Sequence, residues 1–191
     1  MIYIDDRIDL FDLDAALPLL SEERRMKVMR YRGELNRKCS AAAYVLLRRA
    51  LKEEYDIEEK PIFTLGEHGK PYIVGHEDIH FNLSHCREAV ACVIDRQPVG
   101  IDIETVGRYK ENVARHTMND AEMEEILSAE HPEMAFTRLW TRKEAMVKLT
   151  GEGLHNDMKN ILDGSADIET VVSTDGRYVY SVARRRNGLT E

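Results

Sequence analysis

The chain has 191 residues, 43% of them hydrophobic and 32% charged, which is enough to fold as one domain, or as two small lobes, around a core of its own. That balance excludes a disordered chain, and the longest apolar run, Ala41 to Leu47, falls far short of the roughly 20 residues of a membrane-spanning helix. The net charge of −8 sets a general nucleic-acid binder aside. Acids in the opening MIYIDDRIDL stand where a signal peptide carries bases, so secretion is not expected. Cys39, Cys86 and Cys92 are odd in number and lack a C-x-x-C pair. They fit neither a disulfide scaffold nor a cysteine zinc site, and a reducing cytoplasm is the expected home.

In chain order, Met1 to Leu10 alternates loosely and predicts a strand. Ser21-Glu22-Glu23 predicts a helix start, a capping serine followed by early acids. Between Arg24 and Lys38 seven bases stand against Glu34 alone, a solvated helix face or a site for phosphate or an acidic protein. Asn36 to Tyr55 predicts a long helix, and Pro61 to Thr64 a short strand before the turn Glu67-His68-Gly69-Lys70-Pro71. Ile79 to Leu83 and Ala89 to Ile94 predict strands with Ser84 to Glu88 as the link, and Val99 to Glu104 a further short strand. Helices are predicted over Asn119 to Ala129 and Glu133 to Thr150, the second stopped by Gly151. Strands around the turn Thr174-Asp175-Gly176 follow, between Ile161 and Arg184. Each half thus holds a long helix among strands, with a lobe boundary expected near residue 96.

Three segments carry candidate chemistry. In Val99-Gly100-Ile101-Asp102-Ile103-Glu104 the strand period puts Asp102 and Glu104 on one face and Ile101 and Ile103 on the other. Paired carboxylates on a rigid strand suit a hard divalent cation; the plainer reading is an amphipathic strand with a wet face. On the second long helix Trp140, Glu144 and Lys148 are spaced by four and form one stripe, either a surface Glu–Lys pair beside a core tryptophan or a third carboxylate with a lysine one turn on for phosphate. In Phe81-Asn82-Leu83-Ser84-His85, Ser84 and His85 end a strand and point apart, which suits anion binding or a polar turn better than a serine nucleophile. No Walker loop, G-x-G-x-x-G or H-E-x-x-H is present.

Taken in order, G-K-P-Y (69–72), F-N-L-S-H (81–85), G-I-D-I-E (100–104) and W-T-R-K-E-A-M-V-K-L-T-G (140–151) resemble the 4′-phosphopantetheinyl transferase superfamily in its Sfp-type branch, over about Ser21 to Leu154. The resemblance implies an α+β fold of two similar lobes related by a pseudo-twofold, residues 1–96 and 97–191, with the active site in the cleft between them and complete in a monomer. It implies transfer of the phosphopantetheine arm of coenzyme A to a serine of an apo acyl or peptidyl carrier protein, with release of adenosine 3′,5′-bisphosphate. The family's Mg²⁺ ligands fall on Asp102, Glu104 and Glu144, and its pyrophosphate contact on Lys148. Coenzyme A contacts fall on Ser84 and His85, with Arg24, Lys27, Ser40 and Lys70 as further candidates. Glu122, in what reads as an exposed helix start, falls on the proposed base for the carrier serine. One departure is Cys39, where family members often carry arginine; Lys38 is the expected compensation. The rivals are a magnesium-dependent phosphodiesterase using the same carboxylates and a non-catalytic carrier-binding module, which would be expected to have lost one of them.

Overall fold

A computed structural model describes residues 1–66, 68–151 and 158–186. Glu67 of the expected turn, and the expected end of the resemblance at Leu154 and start of the tail at His155, lie outside the described residues. The chain runs β1 (Ile2–Asp5), α1 (Leu13–Ala16), α2 (Glu22–Arg30), α3 (Glu34–Tyr55), β2 (Phe63–Leu65), β3 (Pro71–Ile73), β4 (His80–His85), β5 (Val90–Asp95), β6 (Val99–Thr105), α4 (Glu111–Thr117), α5 (Asp120–Ser128), α6 (Pro132–Thr150), β7 (Ala166–Val172) and β8 (Tyr178–Arg185). The fold is α+β. Two antiparallel three-stranded sheets have the orders β1-β5-β4 and β6-β8-β7, and β2 pairs with β3 alone. In both larger sheets the last strand in the chain lies between the first two, and a long helix, α3 or α6, connects the outer pair. Among the described residues no helix is long and apolar enough to cross a membrane.

Local chemistry sets the element ends. Ser21 Oγ accepts from Arg24 N and starts α2, as its position before two acids predicts. Gly151, at φ +73, ends α6 in the left-handed conformation that glycine adopts without strain. The opening strand is shorter than expected: it stops at Asp5, and residues 8–10 form a 3₁₀ turn that buries Ile8 against α3. Ser84 and His85 lie inside β4 rather than in the link, because His85 still pairs with Val90 and only residues 86–89 turn. The short helices α1 and α4 and the strand β3 are further elements that the sequence pattern does not predict.

The core is layered through β5. Val90, Cys92 and Ile94 pack on α3 with Leu47, Leu51 and Phe81, while Ala91 and Val93 pack on Val99, Ile101 and Ile103 of β6. The strand is covered on both faces, so it reads as a continuous apolar run. Burying each of Ile101 and Ile103 is worth about 1.5–3 kcal/mol and fixes which face of β6 is left for chemistry. The opposite face, Gly100, Asp102 and Glu104, turns to α6. A Cβ on Gly100 would collide with the carbonyl oxygen of Ala145 and the amide nitrogen of Leu149, so glycine is what lets β6 and α6 come this close.

Candidate active site

Asp102 is buried at 3% exposure, which makes its surroundings decisive. Lys148 Nζ donates to Asp102 Oδ1 at 2.6 Å and to Ser84 Oγ at 3.0 Å. Ser84 Oγ donates to Asp102 Oδ1 at 2.9 Å and accepts from the Ile103 amide at 3.3 Å. Asn82, two residues earlier on the same face of β4, accepts from the Ile101 amide at 3.1 Å. The edge strand β4 of the first sheet is thereby stitched by side chains to the edge strand β6 of the second, and the seam ends at the Asp102–Lys148 pair. Asp102 Oδ2 is buried with no hydrogen-bond partner among the described residues.

The stripe expected on α6 is the half-exposed line of a helix otherwise buried from Leu139 through Leu149, broken off it only by Arg142. Burial raises the Glu104 carboxyl to about 7, with the charge of Asp102 pushing further and Glu144 adding to it; Arg108 and Lys148 oppose. Burial also raises Glu144, again with Asp102 behind it and Lys148 opposing. The three carboxylates therefore feel one another, with Lys148 on Asp102 and Arg108 3.8 Å from Glu104 as the cations beside them. Carboxylates with a buried oxygen unpaired are the ligand type a hard divalent cation takes, and its charge would relieve their repulsion; the three would have to draw together around it. Among the described residues no three His, Cys, Asp or Glu side chains are gathered tightly enough to hold an ion. Trp140, at the start of the stripe, stacks on Phe136 with ring centroids 5.9 Å apart and lines a cavity of about 190 Å³ with Glu104 and Arg108.

The other expected residues fall into three groups. His85 is the exposed end of β4; the protein around its ring still lowers its imidazole by desolvation, Lys148 and Arg24 lower it further, and Asp102 opposes. Such a histidine gains a proton most readily when an anion arrives. Arg24 donates through Nη2 to the Ser40 carbonyl at 2.7 Å, and Ser40 Oγ is buried with no partner among the described residues. Arg24 and Lys27 line a cavity of about 220 Å³ floored by Phe63, Phe81 and Leu83. Lys70 Nζ is tied to the carbonyls of Lys148 (2.7 Å) and Leu149 (3.1 Å), a cation on the C-terminal end of α6. Cys39 is buried and its thiol points at the Cys86 carbonyl, 3.7 Å away. Lys38 Nζ reaches the Asp9 carbonyl at 3.4 Å and pairs with Glu34 at 3.3 Å.

Glu122 corrects an expectation of exposure. It is 9% exposed, and its Oε2 accepts from the Asn119 amide, closing a capping box, and faces Lys143 Nζ at 2.9 Å. Lys143 is fully buried and donates to the Met158 carbonyl at 2.6 Å. Local pattern does not reveal this pair, because Lys143 reads as one more charge in W-T-R-K-E; its position on the inward face of α6, one residue before the half-exposed stripe, is what buries it. Asn82 and Gly100 were also missed as site-building residues, although the alternation of F-N-L-S-H puts Asn82 beside Ser84. Two grooves of about 570 and 610 Å³ lie beside Arg142 and Ile161 and beside Arg115 and Leu127, away from Asp102, Glu104 and Glu144. The site is marked by its chemistry rather than by its size.

The sequence model of the 4′-phosphopantetheinyl transferase superfamily matches residues 98–185, which span β6, α6 and the site's carboxylates. A 4′-phosphopantetheinyl transferase of Bacillus subtilis is 31% identical over 157 residues, 80% of this chain and 70% of the relative. The 4′-phosphopantetheinyl transferase Sfp of Bacillus subtilis strain 168 is 29% identical over 186 residues, 93% of this chain and 83% of the relative. The transferase AcpT of Salmonella typhimurium is 40% identical over 119 residues, 58% of this chain and 57% of the relative. The chain is an enzyme of the 4′-phosphopantetheinyl transferase superfamily and belongs to its Sfp-type branch.

Proposed function

We propose that this chain moves the phosphopantetheine arm of coenzyme A onto the serine hydroxyl of an apo acyl or peptidyl carrier protein, with Mg²⁺ as cofactor. The observation that carries the reading is the Asp102–Lys148–Ser84 cluster, with Asp102 Oδ2 buried and unpartnered beside two carboxyls whose protons are held too tightly. Asp102, Glu104 and Glu144 would hold the ion, which supplies charge neutralisation across a pyrophosphate. Lys148 is the cation available to the same phosphate oxygens. Ser84, His85, Arg24, Lys27 and Ser40 are assigned to the adenosine and 3′-phosphate end, and Lys70 fixes the end of α6 that carries Lys148.

The carrier serine oxygen attacks the phosphorus bonded to the pantetheine oxygen. The bond from that phosphorus to the bridging oxygen breaks, and adenosine 3′,5′-bisphosphate leaves with the electron pair. Among the described residues both contacts of Glu122 fall on Oε2, so Oε1 is the oxygen we assign to taking the serine proton, directly or through water. The matching connectivity of the two sheets supports two lobes, 1–96 and 97–191, related by a pseudo-twofold, and we propose further that the cleft is complete within one monomer and that the enzyme works in the cytoplasm.

Intact mass of an apo carrier after incubation with coenzyme A and magnesium tests the reading. The expected result is one added phosphopantetheine per carrier. Cleavage of coenzyme A in water with no mass added to any carrier would replace the transferase by a phosphodiesterase.

A further inference from the structure

Two side chains bind Lys148 into the candidate site. Its Nζ stands 2.6 Å from Asp102 Oδ1 and 3.0 Å from Ser84 Oγ. A charge-assisted bond that short is of the strong kind. Asp102 is 3% exposed, so Lys148 compensates its charge where water does so little. A divalent cation needs the same carboxylate, and a doubly charged ion beside an ammonium on one carboxyl group is repelled by it. The two are therefore rivals for Asp102, whichever of its oxygens the ion takes.

The surroundings decide which group gives way. Ser84 Oγ has one proton and two lone pairs. It gives the proton to Asp102 and accepts from Lys148 and the Ile103 amide, so its capacity is full. With Lys148 withdrawn, Ser84 still orients the Asp102 carboxylate and still pairs the Ile103 amide. The Lys148 side chain is 26% exposed against 5% for that of Asp102, so the lysine is the one with solvent to move toward. Its backbone stays in place, because Lys70 Nζ holds the Lys148 carbonyl at 2.7 Å. Arg108 differs: it lies 3.8 Å from Glu104 and is 66% exposed, a pair that water screens.

We propose that Lys148 guards Asp102, so that coenzyme A and the divalent cation bind with positive coupling: the pyrophosphate of coenzyme A draws Lys148 off Asp102 and opens that carboxylate to the ion. The proposal rests on the transferase reading for the identity of both ligands. Coupling between two ligands is reciprocal, so the ion tightens coenzyme A by the same factor.

The test is a titration of the protein with Mn²⁺ as the probe ion, followed by electron paramagnetic resonance of the free ion, with and without coenzyme A. Ion held by coenzyme A in buffer is subtracted. In the parent, coenzyme A should tighten Mn²⁺ about tenfold or more. A direct contact of ion with pyrophosphate would give some of that factor, so the variant decides. Lys148→Gln should bind Mn²⁺ alone about tenfold tighter than the parent does, and coenzyme A should then add less than it adds in the parent. Lys148→Gln also leaves Asp102 without its cation, so it should melt below the parent and gain more from Mn²⁺. Arg108→Gln should change Mn²⁺ affinity less than about threefold. The proposal is overturned if Lys148→Gln binds Mn²⁺ alone no tighter than the parent. It is equally overturned if Arg108→Gln tightens the ion as much, since the effect is then the general field. The parent gives a reading that survives a poorly folded variant: the ¹H–¹⁵N signal of the Lys148 ammonium should move or vanish when coenzyme A is added without metal, and a signal left in place overturns the proposal. The titrations contain no carrier, so a parent that adds no phosphopantetheine to any carrier ends the transferase reading while the coupling is decided apart from it.

Discussion

At the scale of single residues the site is a contest between burial and charge. Glu144 is pushed toward its protonated form by burial and by Asp102, so a neutral replacement removes repulsion from the fold. Glu144→Gln should melt no lower than the parent and yet lose about 10²–10³ in transfer rate, the usual scale for removing a catalytic electrostatic contact. Melting curves beside carrier mass spectra check both halves, and a variant that melts far below the parent would make Glu144 structural. Glu104 gives a test in pH. Its carboxyl rises from 4.5 to about 7 on folding, so the folded chain binds that proton more tightly than the unfolded one. The associated stability is full below pH 4.5 and is lost as pH climbs through 7. Glu104→Gln keeps a neutral group there at every pH. In chelator, its gain in melting temperature over the parent should therefore be larger at pH 8 than at pH 5.

At the scale of elements, the site depends on how close one strand and one helix approach. Gly100 is the contact point of β6 with α6, and its added methyl would meet backbone on α6, which cannot swing aside as a side chain can. Gly100→Ala must push β6 from α6, moving Asp102 away from Lys148. Overpacking of this kind costs typically 1–3 kcal/mol, and the activity loss should exceed what the fraction unfolded explains. Urea unfolding alongside transfer rates measured well below the midpoint would show it. Asn82 marks the same seam from the other sheet. Its amide oxygen satisfies the buried Ile101 amide, and leaving such a donor unpaired costs about 1–3 kcal/mol, so Asn82 is held there by the backbone of a strand 19 residues away.

At the scale of the whole molecule, charge is unevenly placed: the chain is at −8 overall, but basic between Arg24 and Lys38. Attraction of an acidic carrier must act through that patch against the field of the rest. Exposed charges are screened within about 10 Å at 0.1 M salt. Raising salt from low to high should thus raise the carrier KM more than it lowers kcat, while a KM that stays flat would rule out electrostatic docking. The buried pair of Lys143 with Glu122 belongs to this scale too, because it joins α5, α6 and the segment at Met158. Removing one partner of such a pair is strongly destabilising, which separates any catalytic part of Glu122 from its part in the fold only if both are measured.

The sequence by itself determined the periodicities. Alternation in G-I-D-I-E put Asp102 and Glu104 on one face, the four-residue spacing aligned Trp140, Glu144 and Lys148, and Ser21 and Gly151 marked helix ends, because strand and helix periods and capping are local properties. Four ordered motifs carried the family. What only the tertiary structure decided is which side chains meet across long separations. Lys148 reaches Asp102 over 46 residues and Ser84 over 64, and Lys70 reaches the end of α6 over 78. Local pattern also misjudged Glu122, since an acid at a helix start looks exposed until a buried lysine from another helix closes on it. Burial and long-range electrostatics belong to the packed molecule, and the shifted carboxyls of Glu104 and Glu144 exist only once β4, β6 and α6 have been brought together by the core beneath them.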